Sequence, residues 1–126
     1  MDVIRQSWRI TTAGWPFPAE SGGTMRTKLV SLEAAAAMVR DGDQVAMSSG
    51  FNHSPMAMLR EIARRGVKDL HTIGIVGGSI NLDFLIGTGQ TAVIECCSIG
   101  FQPFSTVPPN FERYLKSSRI YAMDNT

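Results

Sequence analysis

The stretch that decides the fold is Gln44-Val45-Ala46-Met47-Ser48-Ser49-Gly50-Phe51-Asn52-His53-Ser54-Pro55-Met56-Ala57-Met58-Leu59-Arg60-Glu61-Ile62-Ala63-Arg64-Arg65-Gly66. Val45-Ala46-Met47 is a short apolar run of the kind that forms a buried strand. From Pro55 to Arg65 the period changes. Met58, Leu59, Ile62 and Ala63 recur at helical spacing, and Arg60, Glu61, Arg64 and Arg65 fall on the wet side. Ser54 stands where an N-cap is expected, and Pro55 at the first helical position, where its missing N–H costs nothing. Gly66 supplies the stop. A strand, a loop of small residues and an amphipathic helix in immediate succession make one unit of an α/β fold.

The same grammar repeats on either side. Downstream, Leu70 to Val76 is a second apolar run, Gly77-Gly78-Ser79 a turn, and Leu82 to Ile86 a short helix ended by Gly87. Thr91 to Ser98 reads as a third strand. After a loop marked by Pro103, Pro108 and Pro109, Asn110 is placed to cap a helix carrying Phe111, Tyr114 and Leu115, and Ile120-Tyr121-Ala122 reads as a fourth strand. Upstream, Ser31 can cap a helix through Leu32, Ala35, Ala36 and Val39 that Gly42 stops. Strands alternating with helices over short connections predict an α/β domain, a mostly parallel sheet covered by helices on both faces in three layers.

Residues 1–24 differ from the rest: Trp8 and Trp15 are the chain's only tryptophans, and Trp15-Pro16-Phe17-Pro18 with Ser21-Gly22-Gly23-Thr24 breaks every period. This segment is either a flexible native arm or a stretch lying ahead of a true start at Met25. The domain proper is therefore expected over 25–126.

At 126 residues and 13.7 kDa the chain has room for one core. A hydrophobic content of 44% with 18% charged residues excludes a disordered or collagenous chain. Twelve basic against eleven acidic side chains give +1, too balanced for non-specific nucleic-acid binding. No segment approaches the ~20 apolar residues that span a bilayer, and the N-terminus has no compact apolar signal core. The two cysteines, Cys96 and Cys97, are adjacent and in an extended segment point to opposite faces. Reduced thiols in a cytoplasmic protein are expected.

In an open parallel sheet the ligand crevice lies beyond the carboxyl ends of the strands. Two loops there stand out: Ser48-Ser49-Gly50-Phe51-Asn52-His53-Ser54 and Gly77-Gly78-Ser79. Small residues let a ligand approach the backbone, and the N–H groups opening the following helices favour phosphate, carboxylate or a developing oxyanion. Tight turns use Gly and Ser without any ligand too, and for the second loop the two readings are evenly balanced. Asn52 and His53 tip the first loop toward binding. Gly87-Thr88-Gly89-Gln90-Thr91-Ala92 fits the dinucleotide pattern G-x-G-x-x-A, but a helix precedes it and a strand follows, the reverse of what pyrophosphate binding requires, so it reads as a helix stop. His53 and His71 are too few and too far apart for a zinc site with the cysteines. His71 reads as structural. A nucleophile pair of Cys96 or Cys97 with His53 is the sharper alternative to cysteines that simply fill a strand's buried face. Of the glutamates, Glu20 is in the arm, Glu33, Glu61 and Glu112 are on helices, and Glu95 is in the third strand; none sits in a turn that would present a nucleophile. No catalytic residue and no metal ligand is assigned.

Several motifs in order carry a resemblance. Leu32-Glu33-Ala34-Ala35 through Arg40-Asp41-Gly42-Asp43-Gln44-Val45-Ala46-Met47, Pro55 through Ile62, Arg65-Gly66-Val67-Lys68-Asp69-Leu70, Leu82-Asp83-Phe84-Leu85-Ile86-Gly87-Thr88-Gly89, Gly100-Phe101 and Pro109-Asn110-Phe111-Glu112-Arg113 together resemble the opening of the A (alpha) subunit of family I CoA-transferases. One departure is that the family commonly has Gly-Gly-Phe where this chain has Ser48-Ser49-Gly50-Phe51, in a loop one residue shorter. The resemblance implies a subunit that pairs with a B (beta) subunit across a shared active site, acting on acyl-CoA and carboxylate substrates with coenzyme A as substrate rather than resident cofactor. It implies that a glutamate of the B subunit attacks the acyl-CoA, forms an acyl-glutamyl anhydride and then a glutamyl-CoA thioester, and passes CoA to the acceptor. This chain's share would be the acyl/CoA pocket from Ser49, Gly50, Phe51, Asn52, His53, Ser54, Gly77, Gly78 and Ser79. It also implies a longer subunit, with Thr126 marking a truncation. The alternatives are a CoA-dependent hydrolase on the same scaffold and a non-catalytic binding module or inactive fragment.

Overall fold

The computed structural model describes residues 29–48, 50 and 52–124. Among them run α1 (Leu32–Ala36), β1 (Gln44–Ser48), α2 (Met56–Arg64), β2 (Leu70–Ile75), α3 (Ile80–Gly87), β3 (Thr91–Glu95), α4 (Pro109–Lys116) and β4 (Tyr121–Met123). The arm over residues 1–24 lies outside the described residues. Ser31 caps α1 as expected, its hydroxyl accepting from Ala34 N at 3.1 Å. The helix stops at Ala36, earlier than the sequence predicts, and Val39 packs against the core from the turn that follows.

The four strands are all parallel in the order β1-β2-β3-β4. Met47 pairs with Gly74, Thr72 with Ile94, and Ile94 with Ala122. Their shared face is the floor of the core, where Met47, Leu70 and Ile94 meet Leu59 and Ile62 of α2, Leu82, Leu85 and Ile86 of α3 and Tyr114 of α4. The α/β class and the parallel sheet are as the sequence predicts. Helix cover on the second face is not formed by the described residues. The reason is topological: right-handed crossovers between strands in sequential order carry every helix over the same side. Ala46, Ile75, Tyr121 and Met123 on the other side are exposed.

α2 and α4 are amphipathic, whereas α3, between them, has no wet face: Asn81, Leu82, Asp83, Leu85 and Ile86 are all buried. Two polar residues in an apolar helix must find partners inside the protein, and both do. Asp83 Oδ1 accepts from Phe111 N at 2.7 Å and Oδ2 from Asn110 Nδ2 at 2.8 Å. The carboxylate of α3 thus caps the N-terminus of α4, which explains a correction to the sequence reading: Asn110 lies inside α4, and the N-cap position is held by Pro108, which has no side chain to offer. Ser54 is a second correction. Pro55 occupies the N-cap position of α2, its carbonyl accepting from Leu59 N at 3.1 Å, while the Ser54 hydroxyl donates back to Gly50 O at 2.8 Å.

α3 ends in a Schellman turn, with Gly89 N donating to Ile86 O (3.0 Å), Gln90 N to Leu85 O (2.9 Å), and Gly89 at φ +84°. Gly87 to Ala92 is therefore the helix stop that its sequence context indicates. α4 ends the same way, Ser118 N donating to Leu115 O at 3.1 Å and Arg119 N to Tyr114 O at 3.0 Å, with Ser118 at φ +53° in the position glycine favours. Ser118→Gly is expected to stabilise the protein by about 0.5–1 kcal/mol, read as a higher urea midpoint. A lower midpoint would show that the serine side chain contributes more than its backbone conformation costs.

Candidate functional site

β1 and β2 end side by side, with Ser48 paired to Ile75, so the two loops singled out in the sequence leave neighbouring strands at one edge of the sheet. The loop after β3 joins them. Gly78 N donates to Ser98 O at 2.8 Å and Gly100 N to Gly78 O at 3.1 Å, a short parallel bridge between Gly78 and Ile99. Three strand-end segments are thus tied into one rim.

Packing alone accounts for the glycines of the second loop. A Cβ on Gly77 would stand 2.9 Å from Ser98 Oγ, and one on Gly78 would collide with the Leu82 side chain. Gly74, just upstream, has the Gly77 carbonyl oxygen 2.7 Å from where its Cβ would be. Ser79 is different: it is buried, and among the described residues its hydroxyl has no hydrogen-bond partner. Val76, before the turn, sits at φ +69°, a left-handed conformation that a β-branched residue rarely adopts. Its carbonyl accepts the Cys97 thiol.

In the first loop, Ser49 and Phe51 lie outside the described residues. Gly50 has φ +101° with open space around it, so any side chain there is strained by the backbone rather than by a clash. Asn52 and His53 are exposed, and Ser54 closes the loop through its bond to Gly50.

The N-terminus of α3 is less open to an anion than the sequence predicts. Asn81 Oδ1 accepts from Ser79 N at 3.1 Å and from Leu82 N at 2.9 Å, so two donors at the start of α3 are used internally. Asn81 Nδ2 donates to Ser48 O at 2.7 Å, which links the start of α3 to the end of β1. Sequence reasoning passed over Asn81. The signal was present as a polar residue, with Asp83, inside the otherwise apolar run Ile80 to Ile86.

β3 ends at Glu95, so Cys96 and Cys97 lie beyond the strand rather than in it. Cys96 is half-buried against the core and Cys97 is exposed. Burial, followed by the charges of Cys97 and Asp124, pushes the Cys96 thiol up. Alkylation needs the thiolate. Iodoacetamide at mildly alkaline pH is therefore expected to modify Cys97 roughly tenfold faster than Cys96, which peptide mass spectrometry reads directly. Equal rates would contradict the burial of Cys96.

The described glutamates are engaged elsewhere. Glu61 pairs with Arg64 at 2.8 Å and Glu112 with Lys116 at 2.6 Å, both along their own helices. Backbone and Ser31 hydrogen bonds hold the Glu33 carboxyl below the ordinary range. Glu95 Oε2 lies 3.0 Å from His71 Nε2, and Gln44 Nε2 lies 3.3 Å from His71 Nδ1, a polar line across the helix-free face of the sheet. His71 is structural in this arrangement.

An open cleft of about 560 Å³, lined by Ala92, Leu115, Ser118, Arg119, Ile120 and Tyr121, lies at the amino ends of β3 and β4, away from the loops. Arg119 is the single charged residue in its lining. Among the described residues there is no cluster of His, Cys, Asp and Glu suited to a metal, and no helix is long and apolar enough to cross a membrane.

A family model described as Coenzyme A transferase matches residues 29–124. Among solved structures, the chain is similar to glutaconate coenzyme A-transferase from Acidaminococcus fermentans, at 27% identity and a TM-score of 0.70 over 79% of this chain and 32% of that one. It is also similar to a variant of the decarboxylase AibA/AibB, at 27% identity and a TM-score of 0.62 over 77% of this chain and 38% of that one. The chain thus spans about a third of the length of each. No curated protein matches it.

Proposed function

The chain belongs to the coenzyme A transferase family, and from that premise we propose that it forms part of an enzyme moving CoA between an acyl-CoA and a carboxylic acid. Its share is the acyl/CoA pocket, formed by Ser49 to Ser54 and Gly77 to Ser79, with coenzyme A as substrate. A partner subunit of the B (beta) type supplies the nucleophilic glutamate, in the cytoplasm. The observation that carries this reading is the rim itself: two loops of small residues leaving adjacent parallel strands, Ser48 beside Ile75, in a chain whose family match runs over 29–124.

The chemistry fits such a division. Transfer through a covalent intermediate needs a nucleophile and, at each step, donors for a developing oxyanion. Among the described residues each glutamate lies on a helix or strand, outside both loops. The loops offer backbone, the exposed Asn52 and His53, and the unpartnered Ser79 hydroxyl.

The test is CoA exchange by the chain assembled with its B-type partner, using an acyl-CoA and trial carboxylates. His53→Ala is expected to lower turnover about 10-fold or more while leaving the unfolding free energy from urea denaturation within about 0.5 kcal/mol of the wild type, as for an exposed loop residue. Unchanged turnover would remove His53 from the site. One neighbour is described as a decarboxylase and not a transferase, so a second reading is kept, in which this chain's scaffold serves a CoA-dependent hydrolase instead. Release of CoA without any acceptor carboxylate would select that reading. A complete assembly that neither binds acyl-CoA nor releases CoA would leave a binding module.

A further inference from the structure

The ladder between β1 and β2 ends at Ser48 and Ile75, and beyond that pair no strand hydrogen bond joins the two loops among the described residues. What spans the gap is Asn81. Its side chain is fully buried, accepts from Ser79 N and Leu82 N on Oδ1, and donates from Nδ2 to the Ser48 carbonyl. A carboxamide supplies an acceptor for two amides on one atom and a donor for a carbonyl on another, a span that a single hydroxyl oxygen does not have. An aspartate has acceptors only, and an apolar residue leaves three backbone groups without partners. Burial strengthens the two bonds to Oδ1, where water does not compete, while the bond to the Ser48 carbonyl is part-buried.

We infer that Asn81 is a positioning residue of the acyl-CoA site, setting the loop that begins after Ser48 and the turn ending at Ser79 at a fixed distance from each other. It touches backbone and not substrate. Donors drawn from two loops act together only if their spacing is held, and a misplacement of about 1 Å can cost about 100-fold in rate. The assignment rests on the proposed pocket for its functional consequence, but the coupling between the loops stands on the geometry alone.

Hydrogen exchange on the 126-residue chain tests the coupling without any ligand. Asn81→Asp keeps the shape and the acceptors and removes the donor to Ser48. The amides of Gly50 and Asn52 to Ser54 are expected to exchange about tenfold faster, while β2 and α3 keep their protection. Unchanged loop exchange, or an equal rise throughout the sheet, overturns the inference. If the variant does not fold, the wild type decides: a scalar coupling between Asn81 Nδ2 and the Ser48 carbonyl carbon, with slow exchange of the carboxamide protons, supports it, and rapid exchange without coupling overturns it. In the assembled enzyme, with acetyl-CoA and propionate as probes, Asn81→Asp is expected to lower kcat about 10–100-fold with KM within about twofold. A raised KM with unchanged kcat counts against a positioning role. Absence of CoA exchange in the wild-type assembly would count against the transferase reading, while the exchange data would still judge Asn81.

Discussion

Replacing Asp83 with alanine is expected to lower the free energy of unfolding by about 2–4 kcal/mol, a large part of the ~5–15 kcal/mol available to a small domain. The carboxylate is 3% exposed and serves two groups of α4, the Phe111 amide and the Asn110 carboxamide. Asn110 is held from the other side too, its Oδ1 accepting from Arg113 and its side chain filling the space where Gly87 has no Cβ. Removing Asp83 leaves the first turn of α4 without a cap and an amide buried without a partner. Asp83→Asn keeps an acceptor for Phe111 and is expected to cost about half as much. Urea denaturation of the three proteins measures this. A loss below about 0.5 kcal/mol for the alanine variant would mean that α4 does not depend on α3 for its cap.

The second large effect is expected at Gly74. An alanine there would place its Cβ 2.7 Å from the Gly77 carbonyl oxygen and 3.0 Å from Cys96 Cβ, with backbone on one side and a packed side chain on the other. Neither can yield cheaply, so Gly74→Ala is expected to cost about 2–3 kcal/mol. The displacement has a direction. It pushes Gly77 away from β2 and strains the bridge that ties Gly78 to Ser98 and Gly100. Raised hydrogen exchange at Gly78 and Gly100, with α1 and α2 unaffected, would locate the damage at the rim. A stability change with even exchange throughout would show that the rim is not built on this close approach.

Much of the fold is legible in local pattern. The apolar runs ending at Met47 and beginning at Leu70, the stripe Leu59–Ile62, and glycines at helix ends each express a short-range preference, and β1, α2, β2, α3 and β4 fall within a residue or two of their expected bounds, while α1 and β3 each end three residues early. What local pattern misses is satisfied across the fold. Asn110 looks like a cap, yet the cap comes from Asp83, 27 residues away in sequence. Ser54 looks like a cap, yet its hydroxyl turns back to Gly50. Which face of the sheet the described helices cover is decided by strand order, and order is not visible in any one segment.

The motifs that carry the family resemblance are, in the structure, mostly fasteners. Asp41 Oδ1 accepts from Lys68 N at 2.8 Å and Gly42 N donates to Lys68 O at 3.0 Å, which clamps Asp41-Gly42-Asp43 to the turn before β2. Asp83 and Asn110 form the α3–α4 seam. These positions identify a scaffold because the scaffold needs them, whereas the loops that would meet a substrate are where this chain departs from the usual Gly-Gly-Phe. Asn81 belongs to both groups. Its polarity marks it in the sequence, but its link to Ser48 exists only once β1 and α3 are brought together.

The proposed division of labour gives this chain the pocket and its partner the nucleophile. It is tested most directly by trapping the covalent intermediate: the assembled protein is charged with acyl-CoA, quenched with hydroxylamine, and both chains are mapped by mass spectrometry. A thioester or anhydride on a glutamate becomes a hydroxamate at that residue. A hydroxamate is expected on a glutamate of the partner subunit and none on Glu20, Glu33, Glu61, Glu95 or Glu112 of this chain; a hydroxamate on any of these five would overturn the proposed division of labour.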